Sequence, residues 1–386
     1  MRKAIVNGIV WTATGEKPKA QTVIIEGNLI KEVGDNLPIS DDTAVVDAKG
    51  CWVTPGFIDV HTHLGVHTQD IGGDGHDFNE TVNPCTPEVR AIDAINPFDS
   101  GFADARKAGI TTVQVLPGSA NVIGGETCVI KTVGYTVDEM IVQAPSAMKA
   151  ALGENPKRVY GAKGKSPATR MGVAAVLRQE LMKAQDYAIK KRQGKIEFRD
   201  LGMEQLIPVV EGTLPMRVHV HRADDIITML RIANEFSIQM TLEHVTEGHL
   251  VAKELAESGF RFTIGPTFSA RSKQELAHKS WETVQCFAAK EVPFSITTDH
   301  PVVPIEHLIT TASHALKYGI SEEKMMEAIT IRAAEHLQLE SRLGTIEVEK
   351  DADIVIWTGA PLAAGTSVKQ TFINGAAVYT NDGLFT

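Results

Sequence analysis

Cysteine is scarce and dispersed in this chain: Cys51, Cys85, Cys128 and Cys286 are the 4 among 386 residues, and no CxxC pair occurs. That spacing excludes a disulfide framework and a thiolate metal site, and it reads as ordinary buried thiols. A basic excess is missing as well. With 48 acidic against 38 basic residues, the formal net charge is -10. Nucleic acid and anionic membranes both call for a basic face, so neither is expected as a partner. No run reaches the roughly 18 uncharged apolar residues that a membrane span needs. The opening MRKAIVNGIVWTATG has two basic residues, but Asn7 and Gly8 break its apolar run and no small-residue cleavage site follows. A signal peptide is therefore not expected, and the cytoplasm is the default location. Internal repeats and low-complexity tracts are absent too. What remains is a balance of 43% hydrophobic and 22% charged residues, that of a globular chain able to bury a large core.

Both ends of the chain read as short strands punctuated by Gly and Asn: KAIVNGIVWTA, QTVIIEGNLIKEVG and TAVVDAKGCWV at the start, ADIVIWTG and VKQTFINGAAVYT at the close. The middle alternates apolar runs with helical stretches, the pattern of parallel β/α units. Candidate strands cover 57–64, 111–116, 127–133, 141–149, 216–221, 239–244, 261–265 and 294–299. Eight is the number a closed barrel needs. The expected class is α/β, a (β/α)8 TIM-like barrel over 54–342 with a small β-sandwich domain built from both termini, 1–53 and 343–386. The clearest helix starts at Ser166-Pro167 and runs towards Gly194. No long helix fits between the third and fourth strands. The stretch from Gly65 to Pro97, with GGDGHDFNE, lacks a strand or helix period and would lie over the barrel mouth. It reads as a lid or a plain solvated loop, with His76 a faint hint of an extra ion site.

The chemistry-bearing residues fall where strands end. PGFIDVHTHLG holds His61 and His63, and RVHVHRADD holds His219 and His221. Residues i and i+2 of a strand share a side, so each H-x-H aims two imidazoles at one place. His244 ends MTLEHVTEGH, and Asp299, followed by His300, ends FSITTDHP. Active sites of parallel barrels sit at the C-terminal ends of the strands, so these residues should converge on one mouth. Imidazole with carboxylate suits a divalent cation such as Zn, Fe or Mn.

With these motifs the chain resembles the amidohydrolase superfamily, in the branch of imidazolonepropionases and metal-dependent Xaa-Pro or Xaa-Arg dipeptidases. The likeness spans the whole chain, from the PGFIDVHTH opening to the return strand GTIEVEKDADIVIW. It implies that His61, His63 and Asp299 bind a first ion, with Asp299 also moving the proton. It makes His219 the fifth-strand ligand and leaves His221 facing substrate, though the two could be exchanged. His244 would bind a second ion, or contact substrate if only one is held. Lys149, in APSAMKAALGENPKR, would bridge two ions as a carbamate, with Glu154 a rival carboxylate and a surface lysine the plain alternative. Arg170 and Arg222 could hold a substrate carboxylate, though surface salt bridges would explain both; His300 is a further candidate substrate contact.

The resemblance thus implies a metal-dependent hydrolase of a C–N bond in an amide, cyclic amide or dipeptide, with one or two ions per chain and a small-molecule substrate. Self-association is left open. A mononuclear deaminase of a heterocyclic ring uses the same residue set but commonly adds a glutamate soon after the fifth-strand His. Here that region reads HRADDII, which favours hydrolysis. A non-catalytic scaffold would be expected to have lost ligands that this chain keeps.

Overall fold

The computed structural model describes residues 2–69 and 71–381. Eight strands come from the two ends: β1 (Arg2–Val10), β2 (Lys19–Glu26), β3 (Leu29–Gly34), β4 (Ala44–Asp47), β5 (Trp52–Pro55), then β14 (Ile354–Trp357), β15 (Val368–Ile373) and β16 (Ala376–Thr380). They form one hydrogen-bonded sheet in the order β16-β15-β14-β5-β1-β2-β3, with β4 beside β1. Two-residue connections such as Gly27-Asn28, with Gly27 at φ 63, turn the chain sharply enough for antiparallel pairing. The hydrogen bonding links these strands of both termini into one sheet.

The middle of the chain supplies the other eight-stranded sheet: β6 (Phe57–Thr62), β7 (Ile110–Val115), β8 (Ile123–Lys131), β9 (Ile141–Ala151), β10 (Met216–Val220), β11 (Met240–His244), β12 (Arg261–Ile264) and β13 (Phe294–Ile296). Neighbours pair in chain order, making a nearly closed barrel. It departs from an all-parallel barrel at one strand: β8 is antiparallel to both β7 and β9. The reason is connection length. A parallel crossover needs a dozen or more residues, whereas the links 116–122 and 132–140 are shorter and hold only the one-turn helix Val137–Met140.

β7 pairs with only Cys128–Lys131 of β8. The earlier half of that edge is taken by the segment after β6, through bridges Cys85–Ile123 and Arg90–Glu126. The segment expected to be a loop therefore lies on the sheet. Among the described residues, no group of three metal-ligating side chains forms around His76; its ring stacks on His67, with centroids 4.2 Å apart.

The long helix runs Arg170–Arg192, a turn later than Ser166-Pro167 suggested, because Thr169 caps it by accepting from Gly172 N. Its buried residues, Val173, Ala174, Leu177, Leu181, Ala184 and Ala188, follow the three-to-four spacing of one helix face. Lys190, Lys191 and Arg192 oppose the negative helix end, and Gly194 at φ 68 follows. All four cysteines are free; only Cys128 is fully buried, the others being half-buried where burial was expected.

The terminal sheet packs against the N-terminal end of β6, away from the strand ends that carry the histidines. Trp357 stacks on Phe57 with centroids 5.0 Å apart. Beside it, the Lys131 ammonium lies 3.0 Å from Asp351 Oδ2 and 2.6 Å from Asp353 Oδ2, all three side chains buried. Replacing the lysine would leave Asp353 without its cation and Asp351 with Arg342 alone. Lys131→Met should therefore cost about 3–5 kcal/mol, read as a lowered denaturant midpoint; a shift below about 1 kcal/mol would show that the tie contributes little.

Candidate metal centre

The opposite end of the barrel gathers the expected histidines. In β6, strand alternation puts Asp59, His61 and His63 on one side, facing inward. His61 Nδ1 lies 3.1 Å from Glu243 Oε2, and Glu243 Oε1 lies 3.1 Å from His336 Nε2. Burial works against the Glu243 carboxylate, but His336 and His61 hold it well below the usual carboxylate range. His63 Nδ1 lies 2.8 Å from the Leu116 carbonyl, and His244 Nδ1 lies 2.7 Å from that of Gly265. A carbonyl only accepts, so Nδ1 carries the proton in both rings and Nε2 offers its lone pair to the barrel interior.

Those lone pairs meet a carboxylate. Asp299 Oδ1 lies 3.5 Å from His61 Nε2 and 3.3 Å from His63 Nε2. Atoms that bind one tetrahedral ion at about 2.0–2.2 Å are about 3.4 Å from one another, so the spacing suits a shared cation. His61, His244 and Asp299 form one group with mutually close ligand atoms; His219, His221 and His244 form another. The Nε2 atoms of His221 and His244 are buried and have no hydrogen-bond partner. Burial, then the Lys149 charge, pushes His61 down to about 3. Burial, then the Lys273 charge, holds His219 and His221 well below their ordinary value. These rings are neutral at pH 7, the form that binds metal.

Backbone conformation aims two of these groups. His244 has φ 75 and Asp299 has φ 52, left-handed values that non-glycine residues seldom adopt. Such outliers at the ends of β11 and β13 turn side chains into the mouth, as functional sites often require.

Lys149 is fully buried in β9 rather than on a helix surface, with Nζ 3.1 Å from His61 Nε2. Burial pushes its ammonium down to about 8. Glu154 accepts from Glu275 N at 3.1 Å and belongs to neither ligand group.

A profile of the amidohydrolase family matches residues 52–378. The chain belongs to the amidohydrolase family. An amidohydrolase from Thermotoga maritima MSB8, known in crystal structure, is 38% identical, with 98% of this chain and 100% of that one covered and a TM-score of 0.96. An amidohydrolase of Hapsidospora irregularis is 29% identical over 92% of this chain, which spans only 40% of that protein's length. Imidazolonepropionase from Acinetobacter baumannii is 23% identical, with 87% of this chain and 86% of that protein covered. Amidohydrolases are metal-dependent hydrolases of C–N bonds, and the His/Asp cluster suits that chemistry.

Three other expected contacts are engaged differently. Arg222 pairs with its neighbour Asp224 through Nε at 2.9 Å and NH2 at 2.8 Å, an exposed pair. Arg170 Nε donates to Asp225 at 2.9 Å and ties two helices together. Both arginines are thus committed to salt bridges. His300 Nδ1 accepts from Ile305 N at 3.1 Å, and its Nε2 is buried without a hydrogen-bond partner.

Glu243, His336, Lys273 and Glu275 were not anticipated. Glu243 had a signal: an acidic residue inside the apolar strand MTLEH demands a buried partner. Its carboxylate fixes the His61 tautomer, the role such partners play behind metal-binding imidazoles. Glu243→Gln should weaken binding of an ion at His61 by about 10–100-fold, measured by equilibrium dialysis on folded protein. Unchanged affinity would remove Glu243 from this role.

Proposed function

We propose that this amidohydrolase cleaves the C–N bond of a small amide, cyclic amide or dipeptide with divalent metal, Asp299 serving as proton shuttle. The observation that carries the reading is Asp299 Oδ1 lying 3.5 Å from His61 Nε2 and 3.3 Å from His63 Nε2 at the barrel mouth. His61, His63 and Asp299 would hold one ion; Lys149, His219 and His244 would hold another, with Zn, Fe and Mn all suited to such ligands. When bound, a divalent cation lowers the pKa of water from 15.7 to about 7 and polarises a carbonyl.

The chain's own groups do the rest. Asp299, beside a cation held with His61 and His63, would stay ionised, accept a proton and pass it to the departing nitrogen. His244, pinned through Nδ1 to Gly265, presents Nε2 to the same space, for the second ion or, where one ion alone is held, for the substrate. Lys149, its ammonium pushed down to about 8, would supply the amine that combines with carbon dioxide, releasing a proton to solvent, to give a carbamate able to hold a cation. His221 and His300, with buried unpartnered Nε2 atoms, are the remaining polar groups a substrate can meet.

Removal of bound metal by a chelator should abolish hydrolysis across a panel of dipeptides, lactams and ring amides, and adding back one of the three metals should restore it. Asp299→Asn should lower kcat by about 10²–10⁴-fold. Hydrolysis that persists at full rate in metal-free protein, or in that variant, would overturn the reading.

A further inference from the structure

We infer that Phe78 is a specificity-determining residue: its ring closes a neighbouring chamber off from the metal centre and so limits the bulk a substrate can carry beside the bond to be cut. This rests on the reading that the mouth takes metal and a small substrate, and it adds which residue keeps that substrate small.

Phe78 lies in GGDGHDFNE, the stretch without a strand or helix period. Its ring centroid is 5.3 Å from that of His63, a proposed ligand of the first ion, and 5.2 Å from that of His67. The same side chain lines a chamber of about 440 Å³, a volume in the range of small-molecule pockets. The inner wall of that chamber is Val66, Phe78, Pro117 and Gly124. Leu116, whose carbonyl holds His63 Nδ1, immediately precedes Pro117, and a Cβ on Gly124 would lie 3.4 Å from Lys149 Cγ. The chamber therefore sits one residue's thickness from the metal centre, yet neither His63 nor Lys149 lines it. Phe78 is the largest side chain in the wall between them.

That ring stands on a fixed frame. Asp77 N donates to the Val66 carbonyl at 2.9 Å, Gly118 N to the Phe78 carbonyl at 2.5 Å, and Ala120 N to Asn79 Oδ1 at 3.0 Å. The two segments approach closely, since a Cβ on Gly118 would sit 2.4 Å from Asn79 Oδ1. Structure around a truncated side chain relaxes only in part, and here the backbone is pinned on both flanks of the ring. A smaller residue at this position should consequently open the wall without moving it.

The lining behind the wall decides which probe senses the opening. Asp77, Glu80, Glu88 and Asp93 line the chamber against Arg90, and Arg90 is spent on Asp93 through Nε at 2.9 Å and Nη2 at 2.8 Å. The negative charge left over favours a long cationic group.

The test uses amino acid hydroxamates on cobalt-loaded protein. A hydroxamate chelates the ion without being hydrolysed, and its binding is read from the visible absorption of Co(II). Wild type should bind glycine hydroxamate, and arginine hydroxamate at least about tenfold more weakly. Phe78→Ala, and to a lesser degree Phe78→Val, should tighten arginine hydroxamate at least about tenfold while leaving glycine hydroxamate within about twofold and the cobalt content unchanged. Ala94→Phe refills the chamber from its lining. Alone it should change neither ligand; added to Phe78→Ala it should abolish the gain. The proposal falls if wild type binds both hydroxamates equally, if neither Phe78 variant favours arginine hydroxamate, or if the gain survives Ala94→Phe. It falls too if both Phe78 variants lose cobalt, which would make the ring a prop for His63 and not a partition. Each of those results leaves metal-dependent hydrolysis standing, whereas wild type that holds no cobalt would sink that reading along with this one.

Discussion

One buried carboxylate holds the two halves of the site together. The barrel's eight strands pair in order from β6 to β13, but no ladder joins β13 back to β6. Asp59 bridges that seam: its Oδ2 accepts from Thr298 N at 3.0 Å and from the Thr298 hydroxyl at 2.6 Å, and its Oδ1 lies 2.6 Å from the Thr297 hydroxyl. The His63 amide then donates to the His300 carbonyl at 2.8 Å. His61 and His63 follow Asp59 on one side of the seam, and Asp299 follows Thr297 and Thr298 on the other. The spacing of the first ligand group is therefore the spacing of this closure. Burial pushes Asp59 up to about 6, so the clasp stores the cost of keeping a carboxyl away from water.

Beneath the imidazoles lies a second polar layer. Arg217, fully buried, donates to Gln114 Oε1 at 3.0 Å, Thr241 Oγ1 at 3.1 Å and the His336 carbonyl at 3.0 Å. Glu243 spans the two layers, touching His336 below and His61 above. Every charged group here has several partners, the condition under which a buried polar network orders a site rather than loosening it.

Much of this was written in alternation. The H-x-H pairs announced themselves, and the same period reaches back to Asp59 two residues before His61 and to Arg217 two before His219, so inward-facing groups of both layers can be picked from their strands. The eight barrel strands were legible as short apolar runs set between turns and helical stretches. The reversed direction of β8 was not, since propensity says nothing about direction; only the shortness of its two connections does. Glu275 and Lys273 were invisible for a related reason. They arrive on an aperiodic loop whose path is set by Lys279 and by Glu154, contacts between residues that no local pattern links. Arg170 and Arg222 took the plainer of the two roles that the sequence left open, each pairing with a nearby carboxylate.

The reversal of β8 also bears on traffic into the barrel. A strand without a flanking crossover helix needs another cover, and residues 85–90 provide it by pairing with the edge that β7 leaves open. A segment that walls a strand cannot swing away without exposing unpaired backbone, so this side of the mouth is fixed. The connection after β12, on the facing rim, is tied by side chains and not by a strand ladder. One side of the mouth is therefore held by backbone pairing and the other by side chains alone, so the two sides answer to different kinds of substitution.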